Sequence, residues 1–124
     1  MAPGRLRCYA PRMHLRYKLW LDNEGKAFGD GPYALLEGVQ RTGSLSRACA
    51  ELRMSYNKGW RLMREMELRL GFSLIERRTG GVEGGGSELT PEAIDLMRRF
   101  RALKTEADAC LQDLYRRHFG TSEP

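Results

Sequence analysis

Gly43-Ser44-Leu45-Ser46-Arg47-Ala48-Cys49-Ala50 and Met54-Ser55-Tyr56-Asn57-Lys58-Gly59-Trp60-Arg61 belong to one run, residues 43–78, whose reading decides the fold. Ser44 can accept the first free amide of a helix in which Leu45, Ala48, Cys49 and Leu52 recur at helical spacing. Arg53 and Met54 interrupt that helix. Ser55 then offers a second N-cap, for a longer helix that reaches about Leu70 and stops at Gly71, a residue tolerant of positive φ. Two capped helices meeting across about three residues have the helix-turn-helix spacing.

On the longer helix, Trp60, Met63, Met66 and Leu70 follow one another at helical intervals, which predicts that they share a buried face. Asn57, Lys58, Arg61, Arg64 and Glu65 fall on the other side. The first turn, Ser55-Tyr56-Asn57, presents backbone amides to a phosphate. Base-edge donors near the N-terminus, followed by Lys and Arg, are what a DNA recognition helix needs. Taken alone, the same pattern also describes an amphipathic helix with a solvated charged face.

The next stretch favours the first reading. Phe72 to Arg78 is strand-like, and Thr79-Gly80-Gly81-Val82-Glu83-Gly84-Gly85-Gly86-Ser87 supplies a glycine-rich tip. Glu88-Leu89 returns the chain, and Thr90 caps a helix that opens at Pro91. A hairpin directly after a recognition helix is a wing, able to lie along a DNA backbone or enter the minor groove, and glycine allows the close approach. The fold expected is mainly α with small β elements: a winged helix-turn-helix with an N-terminal β-hairpin and a long C-terminal dimerisation helix. The residues predicted to touch DNA are Ser44, Ser55, Tyr56, Asn57, Lys58, Arg61, Arg64, Arg77 and Arg78, with Thr79, Gly80, Gly81, Gly84 and Gly85 of the wing.

Four segments, Ser44 to Ala50, Met54 to Trp60, Leu70 to Arg77 and Thr79 to Thr90, together resemble the N-terminal DNA-binding domain of the ModE family of molybdate-responsive transcriptional regulators, a domain related to the LysR type. The resemblance covers roughly Leu15 to Leu114. It implies sequence-specific binding to an operator, without the molybdate-binding domains of that family. The wing tip departs from the family pattern, carrying Val82-Glu83 where a basic residue is expected.

The remaining chain fits around this unit. With 124 residues it is bounded to one domain, and 21 Lys and Arg against 16 Asp and Glu leave a net charge of +5, which favours a polyanionic partner. Residues 53–78 alone hold seven basic side chains against three acidic ones, so most of the surplus lies on the proposed DNA face. Cys8, Cys49 and Cys110 are far apart, as are His14 and His118, so no disulfide framework or metal-ligand spacing emerges, and no cofactor is expected. No convergent acid, base and nucleophile set suggests an enzyme, and the glycine cluster lacks the Lys-Ser/Thr of a phosphate-binding loop. The absence of an apolar run of about 18 residues predicts a cytoplasmic protein.

Residues 1–11 read as a disordered arm, and residues 12–90 as the winged domain. Alternation from Met13 to Leu21, a turn at Asp22-Asn23-Glu24-Gly25 and a return through Phe28 predict the hairpin 13–28. Asp30 is the expected cap of a helix over about 32–42; the next two helices are expected at 45–52 and 56–70, and the wing at 73–90. Residues 91–119 read as one long helix, followed by a tail, 120–124. On it Leu96, Phe100, Leu103, Ala107, Cys110 and Leu114 form a heptad seam, so the partners expected are double-stranded DNA and a second copy of the chain, with no membrane. Two alternatives stay open: a winged-helix module for protein contacts, and a regulator that needs a separate effector-binding protein.

Overall fold

Eight elements, in a computed structural model that describes residues 13–78 and 86–120, run β1 (Leu21–Asp22), β2 (Lys26–Phe28), α1 (Asp30–Thr42), α2 (Leu45–Glu51), α3 (Tyr56–Leu70), β3 (Ile75–Arg78), β4 (Gly86–Leu89) and α4 (Pro91–Phe119). The chain is mostly helical, with two separate two-stranded antiparallel sheets, β1-β2 and β3-β4. It divides into two units: residues 19–99, and a second in which residues 13–18 associate with residues 100–120.

Helix ends follow local chemistry. The Ser44 hydroxyl accepts the Arg47 N–H at 3.1 Å to start α2, and the Ser55 hydroxyl accepts the Lys58 N–H at 3.1 Å to start α3. Gly43 (φ 75°) and Gly71 (φ 86°) end α1 and α3 in the left-handed conformation, each donating its N–H to a carbonyl four residues back. Between α2 and α3 the left-handed position falls on Arg53 (φ 58°), where a side chain carries a steric penalty of about 1–2 kcal/mol.

The core of the larger unit gathers Phe28, Leu35, Leu36, Val39, Ala48, Cys49, Met63, Met66 and Leu74, all buried. Two small-residue contacts bring its helices together. A methyl at Gly38 of α1 would stand 2.8 Å from the Ala48 Cβ of α2, and a methyl at Gly59 of α3 would overlap the Cys49 sulfur. The centre of the buried stripe on α3 therefore runs through Gly59, Met63 and Met66.

That stripe corrects the sequence reading of Trp60. Its side chain is 46% exposed rather than part of the core. One residue is about 100° of helical rotation, so with Gly59 at the centre of the contact Trp60 is turned onto the flank. Three smaller differences accompany it. Leu52 closes α2 as its C-cap and is exposed. Asp30 is the first residue of α1 and not its cap, which is Gly29 with no side-chain bond; the carboxylate instead lies in the first turn, where the helix dipole favours it. The predicted strand over residues 13–21 pairs only at its end, Leu21 facing Phe28 and Asp22 facing Lys26, because β2 is three residues long and offers no ladder to residues 13–20. Residues 1–12, the wing tip 79–85 and residues 121–124 lie outside the described residues.

Candidate nucleic-acid interface

Asn57, Lys58, Arg61 and Arg64 are exposed on α3, as are Ser55 and Tyr56 in its first turn. Arg77 and Arg78 are exposed on β3. Among the predicted contact residues, Ser44 is half-buried and occupied as a cap, and Ser55 is likewise occupied by the Lys58 amide. Thr79, Gly80, Gly81, Gly84 and Gly85 fall outside the described residues.

The wing is held at both feet. Its strands pair in register, Ile75 with Leu89 and Arg78 with Gly86. At the incoming foot the Leu74 N–H donates to Glu67 Oε2 of α3 at 2.7 Å, and the Ile75 N–H reaches the same oxygen at 3.4 Å. Glu67 also pairs with Arg64 at 3.3 Å. On the returning strand the Ser87 N–H donates to the Gly43 carbonyl at 2.9 Å, and a methyl at Gly86 would stand 2.8 Å from that same oxygen. At the outgoing foot the Thr90 hydroxyl donates to the Ser73 carbonyl at 2.7 Å and accepts the Ala93 N–H at 3.0 Å, capping α4.

Between α3 and the wing lies a recess of about 150 Å³ whose lining includes Tyr56, Trp60, Met63, Arg64, Ile75 and Arg77. The Arg64 guanidinium sits 5.2 Å from the centre of the Trp60 ring, in cation–π range. Arg78 is drawn towards Glu88, 4.0 Å away, at the edge of ion-pair range. Sequence reasoning misses two contributors here. Trp60 is signalled by the neighbouring Gly59, whose missing side chain marks the true helix contact; Glu67 carries no local signal, since its partner amides come from beyond the helix.

The seam residues of α4 are distributed unevenly: Phe100 is buried, Leu96 and Ala107 are half-buried, and Leu103, Cys110 and Leu114 are exposed in the single chain. Among the described residues no group of His, Cys, Asp or Glu could hold a metal ion, and no helix is long and apolar enough to cross a membrane.

Three helices with the third exposing a basic face, followed by a two-stranded ribbon, define a winged helix-turn-helix domain. Residues 33–93 match the family described as bacterial regulatory helix-turn-helix protein, lysR family. The chain is similar to the molybdenum transport protein ModE of Azotobacter vinelandii, 33% identical over 101 residues that make up 81% of this chain and 37% of that protein. It is also similar to ModE of Herbaspirillum seropedicae, 39% identical over 72 residues, 58% of this chain and 27% of that protein. A third relative is the DNA-binding transcriptional dual regulator ModE of Escherichia coli K12, 34% identical over 79 residues, 63% of this chain and 30% of that protein. The chain thus spans between about a quarter and two fifths of the length of these curated relatives. In fold it is similar to the CbnR_DBD chain of a CbnR_DBD–DNA complex, with a TM-score of 0.52 and 22% identity over 69% of this chain and 97% of that one.

Proposed function

We propose that this protein is a ModE-like transcriptional regulator, without catalytic activity, that binds duplex DNA as a homodimer. The observation that carries this reading is the exposed basic face shared by α3 and β3, where Lys58, Arg61, Arg64 and Arg77 stand beside a first turn rich in hydrogen-bonding groups. In this reading α3 enters the major groove, Asn57, Lys58 and Arg61 address base edges and phosphates, and the wing follows the adjoining backbone. The relatives described as regulators support it.

Two recognition helices need a two-fold axis, and the exposed Leu103 and Leu114 on α4 supply the apolar surface for pairing with a second α4. The target is then an inverted repeat with half-sites about 34 Å apart or a multiple of it. Effector sensing, where it occurs, falls to a separate protein or segment.

Selection of genomic fragments on the purified protein at about 150 mM salt tests the reading, because non-specific phosphate attraction fades with salt while base readout persists. Recovery of a few inverted-repeat fragments, lost in Arg61→Ala, is the expected outcome. Recovery of no preferred sequence would instead favour a winged module for protein contacts.

A further inference from the structure

If α3 occupies one groove and the wing addresses the next, one sugar–phosphate strand must cross the space between them. The recess of about 150 Å³ opens at that place. Trp60 and Tyr56 border it on one side and Arg77 on the other, and both aromatic residues are nearly half exposed. A tryptophan has among the largest apolar surfaces of any side chain, and leaving it in water forgoes that burial.

We propose that Trp60 is a docking plate for the DNA backbone, its ring packing against the deoxyribose of the crossing strand while Arg64 and Arg77 hold the flanking phosphates. This inference rests on the DNA-binding reading above and adds to it the role of a residue outside the basic set. The occupant follows from the chemistry of the lining. Apolar surface from Trp60, Met63 and Ile75 lies beside the guanidinium groups of Arg64 and Arg77, which matches a polymer with apolar sugar faces between anionic linkages. Arg64 stacks on the ring and so steadies it, while Glu67, the acidic neighbour, is engaged by the Leu74 amide and by Arg64 itself.

Because a sugar is the same at every base pair, Trp60 adds affinity without adding sequence preference. Because the ring is uncharged, it does so without adding to the salt dependence. These two properties separate it from a base reader and from a phosphate-binding cation.

The chain has two tryptophans, Trp20 and Trp60, so Trp20→Phe leaves Trp60 as the only indole reporter in an otherwise complete protein. Its emission is followed during titration with a selected duplex of about 30 base pairs, with a scrambled duplex, and with the selected duplex carrying deoxyuridine for thymidine. Expected are an emission change with all three, an affinity about tenfold lower for Trp60→Ala on all three, and an unchanged salt slope, whereas Arg77→Ala lowers the slope by about 0.9. A Trp60→Ala loss confined to the selected duplex, or one abolished by deoxyuridine, would make Trp60 a base reader and overturn the proposal. Unmoved emission and affinity would overturn it too. In either case a loss of affinity in Lys58→Ala on the same duplexes would leave the DNA-binding reading standing. Failure of the unsubstituted protein to bind any duplex would end both.

Discussion

The Glu67 carboxylate accepts the Leu74 N–H at 2.7 Å, so a side chain of the recognition helix fixes the backbone at the foot of the wing. Only 13% of the Glu67 side chain is exposed, and the Leu74 side chain is fully buried. Glu67→Ala leaves that amide without its acceptor and is expected to cost about 1–3 kcal/mol in urea unfolding. Glu67→Gln keeps an acceptor and should recover a large part of the loss. Amide exchange at Leu74 locates the effect: protection equal to that of the parent in Glu67→Ala would show that the bond does not hold the wing.

Close packing of α2 and α3 at Cys49 and Gly59 yields a second prediction. Gly59→Ala forces a methyl into the Cys49 sulfur and should destabilise the domain by about 1–3 kcal/mol despite the better helix propensity of alanine. Removing the sulfur makes room, so Gly59→Ala should cost less in a Cys49→Ala background than in the parent. Additive effects in the four-protein cycle would refute steric coupling.

These two sites also mark where the sequence is legible and where it is not. Ser44, Ser55 and Thr90 announce their helices because a cap bonds an amide only three residues away. Trp60 is misassigned from spacing alone, because its intervals to Met63 and Met66 fit one broad apolar face as well as the narrow stripe through Gly59 does. Only the approach of Cys49, set by tertiary packing, decides between them. The alternation over Met13 to Leu21 fails as a strand for a similar reason: a period of two describes one chain, and a ladder needs a partner of matching length. Glu67 cannot be read at all, since nothing within α3 reveals which carboxylate will meet an amide of the following loop.

On the exposed face, Lys58→Ala and Arg61→Ala should leave the unfolding free energy within about 0.5 kcal/mol of the parent. Removing a cation that neutralises one phosphate lowers the slope of log affinity against log salt by about 0.9. Fluorescence anisotropy across a salt series reads both affinity and slope. No change in either quantity in both variants would mean that the wrong face of α3 has been assigned.

In the smaller unit the Tyr17 hydroxyl donates to Asp108 at 2.5 Å, and that bond to a carboxylate, followed by desolvation and the carboxylate charge, pushes its pKa up to about 12. A raised folded value means that the contribution to stability is fully present below the unfolded phenol value of about 10 and is lost as pH rises through the folded one. From about pH 6 to about pH 9, no pH dependence from this pair is expected. Ultraviolet titration should show Tyr17→Phe superimposing on the parent up to about pH 11, whereas Asp108→Asn should add one phenol titrating near 10, roughly the unperturbed value. A Tyr17 that ionises near 10 in the parent, roughly the unperturbed phenol value, would contradict the bond.

On α4, Leu103 and Leu114 are the exposed members of the proposed seam. Leu103→Asp combined with Leu114→Asp should halve the mass seen by sedimentation while leaving the helical circular dichroism of the monomer intact. An unchanged mass in the variant, or a monomeric parent, would remove the seam from the dimer proposal.

Both feet of the wing are tied to parts of the fold that do other work: Glu67 on the recognition helix, the carbonyl of Gly43, whose own N–H closes α1, and Thr90, whose hydroxyl also starts α4. Each fastening is therefore shared, so a change at one of them is felt in the wing and in a helix at once.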